Sequence, residues 1–208
     1  FRDGSDPYGY PNTDWNKEVL LPRAWQQMHS LTASGGSDKV KYFAGFGYVK
    51  QDALYGDTRT NESTSGFNRY NARVNIDANI VDKYLNLSAD MAYRQEDRNS
   101  IAGSTSDVFN NMHRNPQTDP GRFPDGNLGK VSLGVNPIGL ATEGGWVKDR
   151  KSVLNTRFML DFNVPGLEGL NLKGIFSYDK IFNSIKRWTT PVDFYAVSYT
   201  HLTLPTKL

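Results

Sequence analysis

Between Phe67 and Ile80 the residues Tyr70, Ala72, Val74, Ile76, Ala78 and Ile80 alternate without exception with Arg69, Asn71, Arg73, Asn75, Asp77 and Asn79. A strict period of two places one set on each side of an extended chain, so this stretch is a β-strand with one apolar and one polar face. Leu85 to Arg94 repeats the pattern, with Leu85, Leu87, Ala89, Met91 and Tyr93 opposing Asn86, Ser88, Asp90 and Arg94. It returns at Leu154 to Val164 and again from Leu170 to Tyr178. A less regular pair covers Gln27 to Ser34 and Val40 to Tyr48.

Short connections join these strands in twos: Gly35 to Asp38, Val81 to Tyr84, and Pro165 to Gly169. Gly-rich and Pro-Gly links of this length make hairpin turns. Between the hairpins the connections are long and polar, at 51–66 and 97–152. The expectation is an all-β fold of about six antiparallel strands in three hairpins, with every short turn at one end. Outer-membrane β-barrels have that sidedness, with short periplasmic turns and long extracellular loops. Ten residues at ~3.3 Å rise, tilted by about 40°, also match the roughly 25 Å apolar band of such a membrane.

Bulk properties neither support nor oppose this. Mean hydropathy is −0.59, and no run approaches the ~20 apolar residues of a membrane helix. Barrel strands average to polar on any hydropathy scale because lipid-facing and lumen-facing residues alternate. Lys plus Arg is 24 against 22 Asp plus Glu, with both signs scattered, so no basic stripe marks a nucleic-acid surface. The chain has no Cys, which removes disulfides, thiolate metal sites and cysteine nucleophiles.

The row Arg69, Asn71, Arg73, Asn75, Asp77 and Asn79 is the strongest chemical clue, because a dry core would charge several kcal/mol for each ion. A water-filled lumen accepts such a row, and so does the solvated face of a soluble antiparallel sheet. The repetition of an uncovered apolar face favours lipid as the other neighbour. Tyr48, Tyr70, Tyr84, Tyr93 and Tyr178 near strand ends fit interfacial aromatic girdles. Phe123, Trp146 and Trp188 sit in or beside loops, where flat rings stack on sugars or build small local cores. Arg69, Asn71, Arg73, Asn75, Asp77, Phe123, Trp146 and Trp188 are therefore the candidate substrate or lumen residues.

Catalytic constellations are absent from the sequence: His29, His113 and His201 are isolated, and no acid, base or nucleophile pairing has supporting spacing. Asp119 and Asp125 could bind calcium, yet Pro-Gly and Asp-Gly turns explain them without an ion. No enzyme activity, cofactor or metal is expected.

Several segments resemble the SusC/RagA-like TonB-dependent outer-membrane transporters. Tyr10-Pro-Asn-Thr-Asp-Trp15 resembles the family's passage from plug to barrel, and Gln26 to Phe43 its first hairpin. Arg114-Asn115-Pro116, Pro124-Asp125-Gly126, Asn136-Pro137-Ile138 and Pro165 to Leu170 are similar to later loops and the third hairpin. The resemblance implies a segment of a barrel of about 22 strands filled by an N-terminal plug. It also implies import of oligosaccharides or peptides with a SusD-like surface lipoprotein, driven by the TonB-ExbB-ExbD complex through the plug. The family carries no catalytic residues to transfer.

The organisation expected is thus a plug-to-barrel connection over 1–25 and barrel hairpins over 26–196, in the lipid of a Gram-negative outer membrane. The last stretch, 197–208, is similar to translated sequencing-adaptor read-through, although its alternation would also suit a seventh strand. The alternative to the barrel is a soluble all-β carbohydrate-binding module, with the apolar faces packed as a sandwich.

Overall fold

In the computed structural model, which describes residues 11–60, 62, 63 and 65–196, six long strands form one antiparallel sheet. They are β1 (Gln26–Gly36), β2 (Val40–Asp52), β3 (Gly66–Val81), β4 (Leu85–Ile101), β6 (Gly145–Asn163) and β7 (Asn171–Thr189). Their order in the sheet is β1-β2-β3-β4-β6-β7. Two short strands, β5 (Leu128–Gly129) and β8 (Phe194–Tyr195), pair in parallel outside it. The tail at 197–208 and the residues before Pro11 lie outside the described residues.

All three tight turns fall at one end. In the first, Ser37 N–H donates to the Val40 carbonyl (2.7 Å), while the Ser37 hydroxyl accepts from the Lys39 and Val40 amides. In the second, Lys83 takes a left-handed φ of 68°. The third is two successive β-turns, Val164 to Leu167 and Leu167 to Leu170, closed at 3.3 and 3.1 Å. Gly166 (φ 82°) and Gly169 (φ 86°) occupy the positions that need positive φ, and Pro165 presets the residue before the first.

Register decides the faces. Tyr42, Ile76, Ala89, Phe158 and Phe176 form one continuous cross-strand row, and Ala44, Val74, Met91, Thr156 and Tyr178 form the next. The large apolar side chains among them are exposed, Val74 and Ile76 at 41% and Phe176 at 62%, while Thr156 is buried against β7 with its hydroxyl donating to the Tyr178 carbonyl. No second sheet or helix covers them among the described residues. Towards the long-connection end the apolar rows stop at Tyr48 and Tyr70, whose ring centres lie 5.0 Å apart with the planes tilted by 32°, and His29 stacks on Tyr48. Beyond that line the same face turns polar: Lys50, Asn68, Asp97, Arg150 and Ser184, then Asp52, Asn99, Lys148 and Lys186.

The strands are therefore longer than the alternation suggests. β4 runs on to Ile101, β6 begins at Gly145, and β7 continues to Thr189. The long connections shrink from 51–66 to 53–65 and from 97–152 to 102–144. Where both faces are polar, strict alternation vanishes and the sequence signal for a strand goes with it. Tyr178 consequently lies in mid-strand, and Trp146 belongs to β6 rather than to a loop.

The long connection is not featureless either, a second correction. It carries α2 (Thr105–Arg114) and α3 (Pro137–Thr142), which pack with α1 (Trp15–Val19) around a compact core of Trp15, Val19, Tyr55, Val108, Met112 and Leu128. Each helix has a local start signal. Asp14 caps α1 through the Asn16 and Lys17 amides, Ser104 caps α2, and Asn136 caps α3 with Pro137 in its first turn. Asn136 is fully buried and its amide also donates to the Gly121 and Gly129 carbonyls at 2.7 and 2.9 Å. It ties three segments of the connection together. The stretch from Pro11 to Leu21, expected as part of a plug-to-barrel connection, packs here, with Trp15 Nε1 donating to the Pro116 carbonyl.

Candidate functional site

The polar face follows from the same register. On the β4 side, five of the six alternating residues of β3 face a polar partner, the exception being Arg73 opposite Ala92. One cross-strand row runs Asn75, Asp90, Arg157, Ser177; its neighbour runs Arg73, Ala92, Asn155, Asp179. All of them but Asn75 line a depression of about 330 Å³.

Hydrogen bonds join four of these side chains in a chain and two more in a pair beside it, which together form the polar network of this face. Arg73 Nε donates to Asn75 Oδ1 at 2.9 Å, and the Asn75 amide donates to Asp90. Arg157 closes on the same carboxylate in a forked pair, with Nε at 2.9 Å and a second bond from Nη2. Across the depression Asn155 Nδ2 donates to Asp179 Oδ1 at 2.7 Å. Both Arg157 bonds end on one carboxylate oxygen, Asp90 Oδ2, and the opposite charges strengthen them. Side by side, the network offers cationic donors (Arg73, Arg157), carboxylate acceptors (Asp90, Asp179) and amides. That mixture suits ligands rich in amides, hydroxyls and charged termini, and it contains no nucleophile–base pair.

Of the residues expected from sequence, Arg73 and Asn75 belong to this network. Asp77 lies one row towards the turns, accepting from the Ser88 hydroxyl at 2.6 Å. Asn71 faces Gly47 and Arg94, and Arg69 faces Val49 and Glu96 towards the other end. Arg69 Nε is buried without a hydrogen-bond partner among the described residues. Asp90, Asn155, Arg157, Ser177 and Asp179 complete the site; each is visible as a polar member of an alternating strand. Their meeting depends on β4 pairing with β6 across residues 102–144, which no local pattern encodes.

Trp146 and Trp188 are brought together, directly opposite each other on β6 and β7. They lie on the other face of the sheet, at its long-connection end, and not beside the Arg73 network. Phe123 sits among the helices, in a turn where its amide donates to the Asn127 carbonyl at 2.8 Å. Of the two loop aspartates, Asp125 serves its own turn and Asp119 reaches thirteen residues along the connection. Asp119 accepts from the Ser132 amide and hydroxyl, and Asp125 from the Asn127 backbone and side chain.

An antiparallel, all-β sheet with one wet face, one uncovered apolar face and all tight turns at one end defines a barrel-wall segment. Among solved structures, the chain is similar to the RagAB peptide importer in its 'open-open' state, with a TM-score of 0.62 over 86% of this chain at 17% identity. The chain spans about a fifth (20%) of that protein's chain. No protein-family model matches the chain, and a search of curated proteins finds no match.

Proposed function

We propose that the chain is part of the wall of an outer-membrane, TonB-dependent active transporter that imports oligosaccharides or peptides. The observation that carries this reading is the two-faced sheet: a continuous apolar face that ends at an aromatic line, backed by a hydrogen-bonded polar face. Lipid accounts for the first and a wet lumen for the second. The tight turns then face the periplasm, and the helical cluster stands outside the cell. Likeness to a peptide importer supports the same reading, as does the resemblance of the loop motifs to SusC/RagA-like proteins.

In this reading the Arg73–Asp90–Arg157–Asp179 network lines the passage and binds substrate by charge and hydrogen bonding, without covalent chemistry. A SusD-like surface lipoprotein delivers the substrate, and the TonB-ExbB-ExbD complex supplies the energy through a plug. Peptides suit the network particularly well, because paired cations and carboxylates match both chain ends and the amides between.

Substituting Arg at Val74 or Ile76 in the complete protein tests the lipid face. Near the midplane each should cost ~2 to 4 kcal/mol of folding free energy in bilayers. Near-zero cost at both sites would favour a water-exposed sheet. For the lumen, Asp90→Ala with Arg157→Ala should depress uptake while leaving barrel assembly intact; unchanged uptake of every peptide and oligosaccharide offered would remove the network from the pathway.

A further inference from the structure

Above the Tyr48–Tyr70 line, the face that bears the apolar rows carries a charge arrangement the transport reading does not use. Arg150 is neutralised by Asp97 at 2.6 Å, and Lys50 lies 3.7 Å from Asp52. Lys148 and Lys186 stand directly opposite each other across β6 and β7. Among the described residues no carboxylate comes within ion-pairing distance of either. Like charges directly opposite in a sheet destabilise it, and an anion between them reverses the sign. Asn68, Asn99 and Ser184 join the two lysines and Arg150 around a depression of about 390 Å³, which Asp97, already bonded to Arg150, and Asp149 also line, so that three cations face two carboxylates.

Position identifies the anion. Successive rows on one face are two residues apart, ~6.6 Å along the strand and about 5 Å in height at a barrel tilt. The Arg150 and Lys148 rows therefore stand ~5 and ~10 Å above the last apolar row, within the headgroup layer of a bilayer. One row higher, Trp146 and Trp188 lie side by side, with the Lys148 ammonium 4.7 Å from the Trp146 ring centre. Flat, exposed rings beside lysines suit a headgroup that carries sugar as well as phosphate.

Resting on the barrel reading above, we propose that Lys148 and Lys186, with Arg150, Asn68, Asn99 and Ser184, bind a phosphate of an outer-leaflet phosphorylated glycolipid, whose sugar packs on Trp146 and Trp188. The site anchors the wall at a fixed depth and lies on the opposite face from the transported ligand.

The test uses the complete protein in phosphatidylcholine nanodiscs doped with lipid A, with dephosphorylated lipid A, or with inorganic phosphate in solution. Bound lipid per protein is read by native mass spectrometry. Wild type should retain lipid A at least about tenfold more tightly than K148Q/K186Q, since charge-assisted bonds are lost. K148R/K186R should restore retention, and dephosphorylated lipid A should bind wild type and K148Q/K186Q alike. Equal retention of lipid A by wild type and K148Q/K186Q, in proteins that insert normally, overturns the site alone. Displacement of the lipid by millimolar inorganic phosphate supports a phosphate site, and equal retention of lipid A and dephosphorylated lipid A by wild type overturns the phosphate as the group bound. Failure of wild type to enter bilayers overturns the barrel reading and the site together.

Discussion

The sheet and the helical cluster at its end bury apolar surface in opposite ways. Every residue of β7 is exposed, and the apolar rows from Tyr42 to Phe176 pack against nothing within the described residues. In the cluster, by contrast, Val19 and Val108 are at 0% exposure and Leu128 at 2%. Its helices are capped, and the polar groups at its centre, Asn136 and Asp119, have their hydrogen bonds made. One chain thus contains a part that completes its own core in water and a part whose core lies elsewhere. On the proposed barrel reading, the sheet's exposed apolar area is a surface for lipid and not a failure to pack.

Core truncation in the cluster should have the largest effect. Trp15→Ala removes a nearly buried ring and its bond to Pro116, and should cost ~3 to 5 kcal/mol. Hydrogen exchange would register this as opening of 102–144, with β1 to β4 left protected; equal loss in both regions would mean that they fold as one unit.

In the sheet the outcome should depend on depth. Val74→Arg is expected to cost ~2 to 4 kcal/mol in a bilayer, while Asn68→Arg, above the aromatic line, should cost about 0 to 1. A flat profile would erase the boundary at Tyr48 and Tyr70. On the polar face, a double-mutant cycle on Asp90 and Arg157 should give a coupling of ~0.2 to 1 kcal/mol, the range for solvent-exposed pairs. Much stronger coupling would mean that this face is dry.

The smallest effect belongs to the loop at 53–65. The Arg59 guanidinium, bonded to Asp57 at 2.7 and 3.0 Å, holds that carboxyl below the ordinary aspartate range, against the opposing effect of partial burial. A depressed folded value means the pair's contribution is complete above the ordinary aspartate value. It is lost as pH falls through the depressed one. Amide exchange around 57–62 should therefore quicken only in strong acid, and Asp57→Asn should abolish that dependence.

What the sequence made legible follows the same division. Clean alternation at Arg69 to Ile80 located β3 and its two faces, and the Gly and Pro of 165–169 located a turn. Where both faces are wet, as in Lys148 to Ser152 and Asn183 to Arg187, nothing alternates, and the strand ends were lost. The helices were obscured for another reason: α2 buries only Val108 and Met112, one turn apart, within a polar stretch. Its Ser104 cap with that spacing is the one local signal present. The Arg73–Asp90–Arg157–Asp179 network lay beyond sequence because it is assembled by register between strands far apart in the chain.

As proposed, one face of the sheet meets lipid and the other water. Single spin labels can be placed on cysteines introduced along β3 from Asn68 to Ala78 in the complete protein in bilayers, with any cysteine outside these residues replaced. Accessibility to oxygen and to a water-soluble nickel complex should then alternate with period two. Oxygen should dominate at Ala72, Val74 and Ile76, nickel at Asn71, Arg73 and Asn75, with the alternation fading above Tyr70. Water access at every position, or at none, would contradict it.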